Sequence, residues 1–161
     1  MEVVVLRKSD LWDEIVSDNE LSNIVLKFVQ KLGLNSKFSD ATLSIVIADD
    51  EFVKNLNYKF RGKDSATNVL SFPGVYNDDQ LDPFGDEINV GDIVFGFETI
   101  RNEALQQNKL LKNHFTHLLL HGFLHLLGYT HDSDVDANEM ESLEAVILTS
   151  FDIENPYISS N

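Results

Sequence analysis

Apolar positions recur along this chain with two different periods. Val3 to Leu6 is a short β-branched run and predicts a strand, whereas Leu21, Ile24, Val25, Phe28, Val29 and Leu32 fall at helical spacing. Ser17, Asp18 or Asn19 can cap that helix and Gly33 can end it. Ala41 to Ala48 predicts a second strand, and Asp49 and Asp50 open a helix running through Phe52, Leu56 and Tyr58. Asn68 to Phe72 predicts a third strand, broken by Pro73 and Gly74, and the polar stretch from Asn77 to Asn89 is expected to be a surface loop. Gly91 to Phe97 predicts a fourth strand, followed by a helix from Glu98 or Thr99 to about Gln107. Leu110 to Leu127 is apolar enough for a helix buried on most sides. Asn138 to Phe151 predicts a last amphipathic helix, and Pro156 begins a tail. With neither repeats nor a linker, the pattern predicts a single α+β (α/β-like) domain over residues 1–161. It should hold a small mixed sheet of about four strands and roughly four to six helices.

The most apolar helix also carries the chemistry. His114, His117, His121 and His125 follow one another at steps of three, four and four, so they share one stripe. His121 and His125 stand one turn apart, close enough for both imidazoles to bind one ion. Gly128 can take the left-handed conformation after the last helical residue and turn the chain back, which delivers His131 as a third ligand. Three nitrogens with an open fourth position are the pattern of a catalytic zinc. A set of His117, His121 and His125 fails, because its outer members lie about 12 Å apart along the axis. His117 is expected around the site or facing substrate, and His114 at the surface or in a structural role. Neutral core histidines would be the bland alternative, but several on one apolar helix would each need a polar partner. The spacing is also that of metzincin peptidases, which carry glutamate after the first histidine; here that position is Gly122, so peptidase chemistry is disfavoured. A glycine inside a helix costs about 1 kcal/mol relative to alanine, so something is expected to need room there.

Charge changes the picture in one place. The formal charge is −15, which counts against nucleic acid as a partner, yet four of the twelve Lys and Arg residues, Lys54, Lys59, Arg61 and Lys63, lie within one short stretch. Lys59 and Lys63 are candidate substrate contacts. The acidic groups Asp78, Asp79, Asp82, Asp86 and Glu87, and then Asp132, Asp134, Asp136, Glu139, Glu141 and Glu144, are expected to be solvated surface. The absence of cysteine excludes thiolate ligands and disulfides and fits a reducing compartment. Nothing at the N-terminus resembles a signal peptide and no apolar run approaches a membrane span, so a soluble cytoplasmic protein is expected, with neither a membrane nor DNA as partner.

The assembled motifs resemble the YbeY endoribonucleases, also described as ribosomal-RNA maturation factors. His121 to His131 is similar to the family's histidine signature, and Met140-Glu141 and Asn155-Pro156-Tyr157 to its usual continuation. Upstream, Asn57, Tyr58, Arg61, Gly62 and Lys63, then Thr67 to Pro73, then Gly91-Asp92-Ile93 resemble its other blocks in the same order. The resemblance covers most of the chain from about Ala41. It implies a single-strand-specific, metal-dependent RNA hydrolase in ribosomal-RNA maturation and quality control, with one zinc on His121, His125 and His131 and a catalytic or RNA-binding arginine at Arg61. Ribosomal RNA, and the ribosome or its proteins, are the implied partners. Two positions depart from the family's usual aspartate: Thr130, beside the third ligand, and Asn68, where a hydrogen bond supporting the Arg61 segment is expected to weaken. The competing reading is a non-catalytic ribosome-assembly factor in which zinc only stabilises the fold.

Overall fold

In the computed structural model, which describes residues 1–74 and 88–158, the apolar periods build four strands and five helices. The strands are β1 (Glu2–Arg7), β2 (Ala41–Ala48), β3 (Val69–Pro73) and β4 (Ile88–Gly96). The helices are α1 (Asp18–Lys31), α2 (Asp50–Arg61), α3 (Phe97–Gln106), α4 (Leu111–Leu126) and α5 (Asp134–Thr149), with a short 3-10 turn at Asp10–Trp12. One mixed sheet runs β1-β2-β4-β3, with β1, β2 and β4 parallel and β3 antiparallel to β4. The expected α+β domain with a small mixed sheet is the fold observed. Among the described residues no helix is long and apolar enough to cross a membrane.

Alternation along the strands decides what lies on each face. Leu43, Ile45 and Ile47 of β2 and Ile93 and Phe95 of β4 point to the larger core, shared with Phe28 of α1 and with Phe115, Leu119 and Phe123 of α4. Val46, Ala48, Leu70 and Val94 point the other way, against Val53 of α2. Trp12 closes the end of the larger core: its ring meets Phe97 and Phe115 at 5.1 and 4.9 Å, and its indole N–H donates to the Ala48 carbonyl at 2.8 Å. Met140 is fully buried.

Caps set the helix starts. Ser17 accepts from the Glu20 N–H, and Asp49 from the Phe52 N–H at 2.9 Å. The starts of α2 and α3 also cap each other: Glu98 accepts from the Asp50 N–H, while Asp50 accepts from the backbone and hydroxyl of Thr99.

Besides β3, which runs through the Pro73 expected to break it, three boundaries differ from the sequence expectation. Helix α5 begins at Asp134 rather than Asn138, because Ser133 accepts from the Asp136 N–H and the acidic first turn suits the positive end of the helix dipole. Phe97 opens α3 instead of ending a strand. Strand β4 begins at Ile88, before the predicted Gly91: Ile88 and Asn89 already pair with Ala41 and Thr42, and a bulge at Val90 hides the strand's alternation. Residues 77–87 of the expected loop, with Asp78, Asp79, Asp82, Asp86 and Glu87, lie outside the described residues.

The central helix is buried almost all round, and Gly122 shows how closely it lies on the sheet. A Cβ at Gly122 would meet Ile93 Cγ2 at 2.9 Å and Ser71 Oγ at 3.1 Å, and the Ser71 hydroxyl donates to the Gly122 carbonyl at 3.2 Å. The room expected at this glycine is therefore taken by the sheet. Alanine would gain about 1 kcal/mol of helix propensity, but overpacking against a β-branched core residue costs about 1 to 3 kcal/mol. Gly122→Ala is expected to lower the melting temperature, by about 2 to 4 °C per kcal/mol lost. A thermal melt above that of the wild type would refute this packing account.

Candidate metal centre

Helix α4 presents its histidine stripe where the sheet ends and α5 crosses. His121 and His125 sit one turn apart with ring centroids 4.4 Å from each other. After α4 ends at Leu126, Gly128 adopts a φ of 101°, and the chain doubles back to place the His131 ring 4.8 Å from His121 and 5.1 Å from His125. One nitrogen from each of the three lies within 4.8 Å of the others. His121 and His125 are half-buried and His131 is exposed.

The partners of these rings fix their protonation. His121 Nδ1 faces Glu144 Oε1 at 2.6 Å, and His125 Nδ1 faces the Tyr129 carbonyl at 2.9 Å. Both partners are acceptors, so in the neutral rings both Nδ1 atoms carry the proton and both Nε2 atoms are bare lone pairs. Those two Nε2 atoms point at each other across 2.9 Å. Two lone pairs so placed repel unless a cation lies between them. Burial, and then the neighbouring His121, push the His125 imidazole below its ordinary pKa, which keeps the ligand form available. The donor set therefore fits a divalent metal ion held by His121, His125 and His131.

Glu144 of α5 was expected at the surface, and this expectation is corrected: its side chain is fully buried. Besides His121 it accepts from His117 Nε2 at 3.2 Å and from the Tyr157 hydroxyl. Burial alone would raise its pKa, but the hydrogen bonds from His117, His121 and Tyr157 together outweigh it and hold the carboxyl at about 2. Burial and the same carboxylate push the Tyr157 phenol up. Sequence reasoning missed Glu144 and Tyr157 as parts of the site. The available signal was periodicity: Met140, Glu144, Ile147 and Leu148 form the buried face of α5, so the glutamate occupies a position where an apolar residue would be expected.

Arg61 reaches the same place from the other side. Its Nη2 donates to the Ser71 carbonyl at 3.1 Å, and its guanidinium lies 5.6 Å from the centre of the Phe72 ring. Buried Asn57 donates to the Ser65 carbonyl at 2.9 Å and ties down the turn between α2 and β3. A cavity of about 530 Å³ is lined by Arg61, Ser71, His117, His121, His125 and Tyr157, among others. Lys59 and Lys63 are exposed at and after the end of α2 and do not line it.

His114, expected at the surface or structural, is buried and donates to Glu103 at 3.1 Å. Burial lowers its pKa despite that carboxylate. Asn68 does not support the Arg61 segment as expected. Its amide donates to both Glu103 oxygens, at 3.1 and 3.3 Å, and its own oxygen accepts from the Val69 N–H. An aspartate there would set two carboxylates against each other, so Asn68 suits Glu103. Among the described residues, the Thr130 hydroxyl makes one long contact, 3.5 Å, to Asp136.

Fold and donor set together define an α+β protein with a three-histidine, metal-type centre built from its central helix and the turn that follows it. The chain belongs to the endoribonuclease YbeY family, whose model matches residues 8–152. It is 48% identical over 117 residues to a protein named Endoribonuclease YbeY from Chelativorans sp. (strain BNC1), covering 73% of this chain and 70% of the relative. A protein of the same name from Paramagnetospirillum magneticum is 40% identical over 157 residues, covering 98% and 96%. The solution structure of TM1509 from Thermotoga maritima superposes with a TM-score of 0.59 at 21% identity over 99% of this chain and 97% of that one, a likeness of fold.

Glu144→Gln tests the orientation of His121. An amide keeps an acceptor but loses the charge shared by His117, His121 and Tyr157, and losing such a partner of a ligating histidine typically weakens metal affinity about 10- to 100-fold. Titration with a divalent metal and a competing chelator is expected to show that loss while circular dichroism keeps the native helix signal. Unchanged affinity would mean that His121 does not ligate through the nitrogen opposite Glu144.

Proposed function

We propose that this chain is a zinc-dependent endoribonuclease specific for single-stranded RNA, acting on ribosomal RNA in the cytoplasm during its maturation and quality control, in contact with the ribosome or its proteins. The observation that carries the reading is the shared cavity, with Arg61 on one wall and His121 and His125 on the other. Its family name supplies the reaction class. His121, His125 and His131 would hold the ion. Bound zinc supplies Lewis acidity toward a phosphoryl oxygen and activation of water near neutral pH.

The chain's own residues do the rest. Arg61 binds the scissile phosphate: the Ser71 carbonyl anchors its guanidinium through one N–H of Nη2, and the remaining N–H groups of that planar array are left for phosphate oxygens. His117 lines the cavity while its Nε2–H is held by Glu144, which fixes the orientation of its ring there. Lys59 and Lys63 lie outside the cavity and contribute to the approach of a polyanion rather than to the reaction. Glu144 is unsuited to act as a general base, because it is buried, fully bonded and held at a pKa of about 2. The glutamate that a peptidase would place after the first histidine is absent at Gly122.

A cleavage assay on single-stranded and duplex RNA, with chelated and zinc-restored protein, tests this. Purified protein should carry close to one zinc, and His125→Ala should lose it on elemental analysis. Arg61→Ala should keep zinc content and melting temperature while its cleavage rate falls by about 2 to 4 kcal/mol of transition-state stabilisation. Arg61→Lys should recover part of that, since an ammonium keeps the charge without the fork. A wild type that binds RNA and holds zinc, but cleaves no faster than His121→Ala, would replace this reading with that of an assembly factor.

A further inference from the structure

Beside the cavity, the end of α2 exposes an aromatic residue that the core does not use. Phe60 is 60% exposed, and its ring meets the half-buried Phe72 edge-on, with centroids 5.7 Å apart and planes at 64°. Cations decorate both rings: Lys59 Nζ lies 5.3 Å from the centre of Phe60, and the Arg61 guanidinium 5.6 Å from that of Phe72. Among the described residues, neither Lys59, Arg61 nor Lys63 forms an ion pair, whereas Lys54 pairs with Asp64. Arg61 and Pro73, the neighbours of these two rings in the chain, line the cavity that His121 and His125 also line.

Single exposed aromatics are ordinary on protein surfaces. This pair differs in carrying unpaired cations, on a chain of net charge −15, at the rim of the cavity. Tyr58, also exposed, is two residues from Phe60 and so projects from a different side of the helix. An apolar ring face flanked by ammonium and guanidinium groups is complementary to an unpaired nucleobase with its phosphate. It does not suit a duplex, whose bases are already stacked on one another.

We propose that Phe60 and Phe72 form a stacking platform for unpaired bases next to the scissile phosphate, and that stacking on it is what selects single-stranded over duplex RNA. This rests on the ribonuclease reading. A base stacked on Phe60 places its own phosphate toward Lys59 and Arg61, and the strand then continues over Pro73 into the cavity. Stacking fixes the register of the strand, and Arg61 binds the phosphate that this register brings to it.

The test is equilibrium binding of the full-length protein to a fluorescent riboadenosine decamer and to an abasic decamer with the same phosphates, with the oligonucleotides checked for integrity on a gel. Wild type should prefer the adenosine strand. Phe60→Leu should weaken its binding by about five- to a hundredfold, the range for losing one stacked base, and leave abasic binding and the salt dependence unchanged. Phe60→Trp should restore the preference. Melting temperature checks that each variant is folded; Phe72→Leu, which keeps an apolar side chain at a half-buried position, serves as a second variant with the same expected pattern. A wild type that binds both decamers equally would overturn the platform and leave the ribonuclease reading standing. Equal adenosine binding by wild type and Phe60→Leu would do the same. A wild type that binds neither strand would overturn both.

Discussion

A carboxylate removed from water needs every hydrogen bond it can accept, and Glu144 takes its bonds from residues far apart in the chain. His117 and His121 lie on α4, and Tyr157 in the C-terminal tail. Burying an ion costs several kcal/mol even after relaxation, so each of these contacts is a condition for the fold as well as for the site. The condition fixes a register: sliding α5 by one residue along α4 would leave a charge buried and unpartnered. It also binds the tail, because Tyr157 supplies the third donor. The orientation of His121 is thus a by-product of satisfying a buried acid.

The same economy links the two walls of the cavity. Ser71 of β3 donates its hydroxyl to the Gly122 carbonyl on the histidine helix, while its own carbonyl accepts from Arg61. One strand residue therefore sets the distance between the arginine and the histidines. The missing side chain at Gly122 makes this possible, since Ile93 and Ser71 occupy the space that a Cβ would take. Arginine and histidines lie 60 residues apart in the sequence, from Arg61 to His121, yet their relation depends on a helix–sheet contact that any side chain at Gly122 would crowd.

How much of this could be read from the sequence follows from which signals are local. Apolar periods and the His121, His125, His131 spacing are local, and the strands, the helices and the histidine cluster they predict are present. The start of α5 was hidden because Asp134 and Asp136 look like loop residues until Ser133 is recognised as a cap. The start of β4 was hidden because the bulge at Val90 interrupts its alternation. Glu144 and Asn68 were misread for a deeper reason: each is placed by a partner from another element, Glu144 by the histidines of α4 and Asn68 by Glu103 of α3. Composition describes Glu144 as polar and therefore exposed, and the family's pattern ties Asn68 to the Arg61 segment; only the three-dimensional partner corrects each. That Arg61 shares a cavity with the histidines is likewise invisible to spacing, since it depends on Ser71.

Net charge and local charge then act on different distances. At physiological ionic strength the screening length is about 8 Å, so the acidic excess of the whole chain is largely screened from a phosphate held at the cavity rim. What such a phosphate senses is Arg61, Lys59 and Lys63, which have no acidic partner among the described residues, while the charge of Glu144 is covered by three donors. The acidic first turn of α5 is held by the start of its own helix. With one short basic stretch on a chain of net charge −15, few cations are available for phosphate contacts. Affinity for RNA must then come from short-range contacts at the rim and in the cavity, and a protein that binds only where its short-range groups fit discriminates among strands better than one that attracts them all.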